Sequence, residues 1–375
     1  MTGSIAPTLE DLEQAYQAPD PNLAGHQTAR DVVVNSQGIT VLCSANPKGG
    51  REHTWLIRLD HDGTVRWQRH YPDSRGSGRA LAVLQDGSFV IAGELERSAM
   101  EYHGYLLHVG LDGTPGAGTA FGSDGGFGAV AALDDGSILA GGTSQHKGWL
   151  VRADQAMRAI WEFPVEGVYT VSDLGSRPDG GFAVAARREL STTGLDYTRL
   201  SAFASDRSLV WHKQLPTTGR GEPAALTTLA DGGLVAVGRR TNDERSEPQM
   251  WVIRVDRSGD VVWDQRIGSP GEVRLGSAIV ALPDGGFAVA GSATQHDDHR
   301  GLRLARLAAD GTLQWERAYG GEQRDEAHGL ARTPDGGFIL VGSTMSRGAG
   351  KTNVWILRLD PDGTLLWDRV FGTAG

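Results

Sequence analysis

A single cysteine, Cys43, stands in 375 residues. No disulfide framework can form, which suits a reducing compartment. Long apolar runs are missing too. No stretch of 18 apolar residues occurs, so no membrane helix is expected. Residues 1–7 carry no basic segment followed by an apolar core, so an export leader is not expected and the expected location is cytoplasmic. Basic surplus is absent: the net charge is -10, and arginines are interleaved with Asp and Glu, which argues against nucleic acid as a partner. The chain has no nucleophile elbow, no His-Glu-x-x-His, no phosphate-binding loop and no dinucleotide fingerprint. The common hydrolase, metalloprotease and nucleotide-dependent chemistries therefore lack their usual residues.

What the chain has is a repeat. The first aliphatic or aromatic residue after an early turn falls at Ile39, Phe89, Ile138, Phe182, Leu234, Phe287 and Phe338, in steps of 50, 49, 44, 52, 53 and 51. The residue four past a second turn falls at Trp67, Ala117, Trp161, Trp211, Trp263, Trp315 and Trp367. The two series agree on register and on seven copies. The last unit, residues 325–372, is the clearest: four short apolar runs, two Asp-Gly turns and one longer polar loop. Asp-Gly between apolar runs marks a tight hairpin, because glycine reaches the positive φ that the turn needs. Four antiparallel strands at a period near 50 residues describe a propeller blade. The expected fold is an all-β, seven-bladed β-propeller over 29–375, preceded by a tail, 1–28, with a short helix at about 8–18.

The layout resembles WD-type propellers. It resembles more closely the bacterial propeller repeats reading Asp-Gly-Gly-Phe and Asp-x-Asp-Gly-x-x-x-Trp, over residues 29–372. The second turn with its Trp is also distantly similar to the tryptophan-docking repeat of quinoprotein propellers. Those usually have eight blades, are exported, and often carry a vicinal cysteine pair, so no quinone and no other cofactor is expected.

With strands named A to D from the axis outward, strand A carries small residues at alternate positions, such as Ala80 and Ala82 or Ala129 and Ala131. Asp173 breaks that pattern in the fourth unit, and a narrow, nearly uncharged channel is expected. Cys43 takes a position where other units have Gly93 or Gly342, which reads as a small buried residue. Arg58, Arg152, Arg254, Arg306 and Arg358 recur at one position, with His108 in a sixth unit. Recurrence argues for scaffold, and pairing with turn carboxylates such as Asp60 and Asp360 is expected. The Trp series is read the same way, as packing between blades.

Function is then expected where the copies differ, on the face formed by the B–C and D–A loops. The candidate ligand-binding residues there are His53, His70, Tyr71, Tyr102, His103, His146, His296, His299 and His328. Residues 295–299 place two imidazoles beside two carboxylates, a set able to take a divalent ion. Such runs are more often solvated surface, and no metal is expected. Two readings follow. One is a monomeric binding propeller for a protein, peptide or glycan, with no membrane or nucleic-acid partner. The alternative is an enzyme, lyase- or hydrolase-like, with a funnel over the axis in which His, Tyr and Arg do acid–base chemistry.

Overall fold

The computed structural model describes residues 25–46, 52–71, 76–98, 101–188, 197–215, 220–241, 247–268, 272–294, 300–348 and 351–372. The expected helix in the tail lies outside them, and the described residues contain no helix. They form seven sheets of four consecutive antiparallel strands. Blade one is His26–Asn35, Gly38–Asn46, His53–Leu59 and Val65–Tyr71. The innermost strands of the other blades are Gly76–Val83, Gly125–Ala132, Val168–Ser176, Arg220–Thr228, Arg274–Ala281 and Asp325–Arg332. The architecture is a seven-bladed β-propeller, as the repeat implies.

There is no single core. Seven apolar clusters each straddle two neighbouring blades. Strand B alternates Val, Ile and Ala on both faces because both faces are covered, and Cys43 is fully buried there. The recurring Trp packs against these clusters between blades but is only partly buried, so the centre of the wedge is filled by another residue. It is the aromatic near the start of strand C, Trp55, Trp149, Trp251 or Trp355, each nearly inaccessible.

The recurring Trp does a different job, as a clamp on the next blade. Its half-buried ring lies against the glycine of the following C–D turn. A Cβ on Gly113 would stand 3.0 Å from Trp67, on Gly259 2.6 Å from Trp211, and on Gly311 2.8 Å from Trp263. The indole N–H groups of these three donate to the turn carbonyls of Leu111, Arg257 and Ala309, at 3.1, 2.8 and 3.0 Å. Two joints depart from this pattern. Blade two has Ala117 in place of Trp, and the next turn has Met157 in place of Gly, at φ 60° and fully buried between blades two and three. Blade three keeps Trp161, and the next turn has Arg207, whose guanidinium lies 5.6 Å over that ring.

The ring closes without a shared strand. Gln27 N–H donates to Thr352 O at 3.1 Å, and His26 Nδ1 meets Thr352 Oγ1 at 2.9 Å. Blade seven then clamps blade one by the same device: a Cβ on Gly63 would stand 3.0 Å from Trp367. The apolar cluster at this seam combines Val41 and Ile57 with Val341 and Ile356.

Two expectations need correcting. The recurring arginines do pair with turn carboxylates, but across the A–B turn of their own blade. Arg254 reaches Asp231 at 2.9 Å, and Arg152, Arg306 and Arg358 reach Asp135, Asp284 and Asp335. Arg58 bonds Asn35 and Thr40, and His108 bonds Ser88. Asp60 faces Arg66 instead. The channel is also not nearly uncharged. Asp31 and Asp173, from blades one and four, both occupy the axial position that holds Ala80, Ala129, Ala225, Ala278 or Gly329 elsewhere. Each staples a blade to its successor: Asp31 accepts from Leu81 N at 2.8 Å, and Asp173 from Leu226 N at 2.7 Å. Burial pushes Asp31 up to about 6 and Asp173 to about 7, with the Asp31 charge adding to the latter, against the pull of those amide bonds.

Candidate functional site

Strand A does not run straight through the ring. In every blade its pairing with strand B skips one residue at the same place: Arg30, Arg79, Gly128, Ser172, Ala224, Ser277 and His328. A β-bulge bends its strand and re-aims the extra side chain. Seven bulges at one height form the floor of a funnel of about 900 Å³ that opens over the axis on the loop face. Six of the seven bulge residues line it. Blades seven, one and two contribute His328, Arg30 and Arg79. Blades three, five and six contribute Gly128, Ala224 and Ser277, so this half of the floor is open.

The walls are a chain of ion pairs. Arg30 donates to Glu52 at 2.8 Å and to Ser44 at 3.0 Å. Arg79 pairs with Glu94 at 2.6 Å, Arg239 with Glu222 at 2.7 Å, and Arg300 with Glu326 at 2.6 Å. Burial works against the Glu52 and Glu326 carboxylates. Bonds to Ser44 and Arg30, and to Arg324 and Arg300, outweigh it and hold both below the ordinary range. His328 is pushed down to about 4, first by burial and then by the Arg30 charge, against the pull of Glu326. Its imidazole is therefore neutral near pH 7. Aromatic side chains complete the rim over blades two to four: Tyr102, Tyr169 and His146, with His146 Nε2 at 3.4 Å from Asp124.

Of the residues singled out from sequence, His328, Tyr102 and His146 meet in the funnel. The others described do not. His103 is buried, held by Gly122 O at 2.6 Å and Glu101 at 3.2 Å. Tyr71 is buried and donates to Gly113 O at 2.9 Å. His53 and His70 bond one another at 3.3 Å on the outer strands, and His70 stacks on Trp55 at 5.0 Å. His296 and His299 lie outside the described residues. Among the described residues no cluster of three or more His, Cys, Asp or Glu could hold a metal ion, and no helix is long and apolar enough to cross a membrane. Sequence reading missed Arg30, Arg79, Glu94, Glu222, Glu326, Asp124 and Tyr169. A signal existed: the residue just before the small axial one changes from Arg to Gly to His between copies. These positions lie in strand A and not in the loops where variation between copies was expected to matter.

A family model described as a domain of unknown function (DUF5122) beta-propeller matches residues 282–313. No curated protein sequence matches the chain. Solved structures resemble it in fold. Virginiamycin B lyase from Staphylococcus aureus superposes with a TM-score of 0.57 at 13% identity, covering 88% of this chain and 94% of the lyase. The Pan2 WD40 domain of Neurospora crassa gives 0.57 at 12%, covering 89% of each. The β-propeller domain of the Trilobed protease from Pyrococcus furiosus gives 0.53 at 9%, covering 92% and 96%. At these identities the likeness is one of fold, shared by a lyase, a WD40 domain and a protease domain.

Proposed function

We propose that the loop-face funnel is a binding site for a neutral, polyhydroxylated ligand of the glycan class. The observation that carries this is the balance of charge in its lining. Arg30, Arg79 and Arg239 stand against Glu94, Asp124, Glu222 and Glu326, and most are already paired. A strongly charged ligand would have to break such pairs and leave a partner desolvated. Hydroxyl groups can donate to the carboxylates and accept from the guanidiniums without breaking them. Exposed Tyr102 and Tyr169 offer flat faces for the apolar side of a sugar ring. The volume lies within the usual range of about 300–1,000 Å³ for small-molecule sites.

The catalytic reading has one residue in its favour, the neutral His328 beside Glu326. A base of pKa about 4 is weak, however, and an efficient general base has a pKa near the working pH. Binding without chemistry is the better reading. The test is a panel of linear neutral oligosaccharides of the gluco, manno, xylo and N-acetylglucosamine series, read by calorimetry. Gly128→Trp serves as the blocking variant, since a Cβ there meets only Val171 O at 3.7 Å. At least one series should bind the wild type and fail to bind Gly128→Trp, with melting unchanged. A panel that never binds the wild type, or binds the blocked variant equally well, overturns the proposal.

A further inference from the structure

The funnel wall is not even. Strand B and strand C pair Cys43 with Trp55, Gly93 with Tyr105, Ala186 with Arg199, Gly238 with Trp251, Gly291 with Arg303 and Gly342 with Trp355, leaving eleven or twelve residues to each hairpin end. In blade three Gly142 pairs with Trp149, leaving six. The blade-three hairpin is therefore five or six residues shorter at the loop face than that of any other blade. Ladder pairing continues to Ser144 and Lys147, and Gln145 and His146 alone make the turn, at φ 49° and 61°. A turn of this kind normally uses Asn-Gly. Here two residues with full side chains hold the left-handed conformation.

Aromatic side chains border this notch. The His146 ring lies 6.4 Å from that of Tyr169, their planes 21° apart, and both are exposed. Tyr102 stands on the blade-two side. Gly125, Gly126 and Gly128 make the floor between them, so the funnel runs out over blade three along a low, glycine-lined sill.

We infer that the ligand is a linear oligosaccharide whose end sits in the funnel and whose following sugars leave through the notch over blade three, stacked against Tyr169 and His146. This rests on the glycan reading of the funnel. A closed pocket would suit a free monosaccharide, but a two-residue turn above a glycine-lined sill suits a chain. A peptide chain fits less well: the strand A edges at the funnel floor are bulged, which interrupts the regular ladder that an added strand would extend.

The experiment measures affinity against chain length, from one to six sugars, in whichever oligosaccharide series binds. The comparison variants are Tyr169→Ala and a chain with five Gly/Ser residues inserted between Gln145 and His146, which brings this hairpin to the length of the others. For the wild type, affinity should rise on the order of tenfold between two and five sugars, about 1.4 kcal/mol. In both variants the gain with length should be lost: the ratio of pentasaccharide to disaccharide affinity should fall to within about twofold of one, whatever the disaccharide affinity itself. A wild type whose affinity is flat with length, or variants that keep the full gain, would overturn the notch while the funnel reading stands. Binding of no oligosaccharide by the wild type would overturn both. Melting curves of the two variants confirm folding, and Tyr169→Ala answers the question alone if the insertion fails to fold.

Discussion

Replacing Asp173 by Ala should make the protein gain stability relative to wild type as pH rises from about 4 to 8, whatever constant cost the loss of two hydrogen bonds carries. The carboxylate accepts Leu174 N at 2.8 Å and Leu226 N at 2.7 Å, yet crowding in the channel raises it from 3.8 to about 7. The native state therefore holds this proton more tightly than the unfolded chain. Between pH about 4 and about 7 the unfolded state binds fewer protons than the native one, so stability falls as pH rises. About three pH units at roughly 1.4 kcal/mol each give a loss of up to about 4 kcal/mol, fully present above pH 7. The Ala variant lacks this loss. Small residues already occupy the same axial position in five blades, so the site tolerates one. Unfolding entropy near 2.1 cal/mol/K per residue is about 0.8 kcal/mol/K for this chain, so the variant's melting temperature should gain about 5 °C relative to wild type between pH 4 and pH 8. Differential scanning calorimetry in half-unit pH steps measures it, and groups that do not interact with Asp173, His328 among them, cancel in the difference. Two melting curves that run parallel within about 1 °C over that range would refute the reasoning, because Asp173 would then be ionised like any surface carboxylate.

Further expectations concern the clamps and the second channel carboxylate. Asp31→Ala should show the same pH signature at smaller size, about 3 kcal/mol, because its carboxyl rises only to about 6; a larger effect than that of Asp173→Ala would contradict the assignment. Trp315→Ala should cost about 2 kcal/mol, below the roughly 3–5 of a fully buried aromatic, because the ring is half exposed where it covers Gly363; denaturant unfolding with no change in midpoint would show that the clamp is idle. Ala117→Trp should destabilise by about 1–3 kcal/mol through a clash with Met157, and adding Met157→Gly should recover most of it. Equal stability of the single and double variants would break the proposed link between those positions.

The fold was legible because it is written seven times. Each copy is worn somewhere, but Asp-Gly turns, alternating apolar runs and the Trp positions reinforce one another across blades. The site was less legible for physical reasons. A bulge leaves no mark in a single strand: Arg30, Arg79 and His328 occupy places where strict alternation would send them into a blade interface. Asp31 is hidden for the same reason, because only the skipped Arg30 brings it into register with the axial residues of the other blades. Conversely, His103 and Tyr71 looked functional on composition and proved to be hydrogen-bonding partners of turn and loop carbonyls. Chemistry at the loop face is visible in sequence only after the register of strand A is known to within one residue.

The seam between blades seven and one is held by the same Trp-on-turn clamp and the same kind of apolar wedge as the other joints. The ring therefore has no mechanical beginning. A chain cut at another D–A loop and joined across the present seam would find the same set of joints, with one covalent link moved. Each joint between blades is then a local two-body problem, and a joint can change by itself, in both partners as at Ala117 with Met157 or in one as at Arg207 over Trp161. The constant joints hold the frame, and the loop face is left free to differ in every blade.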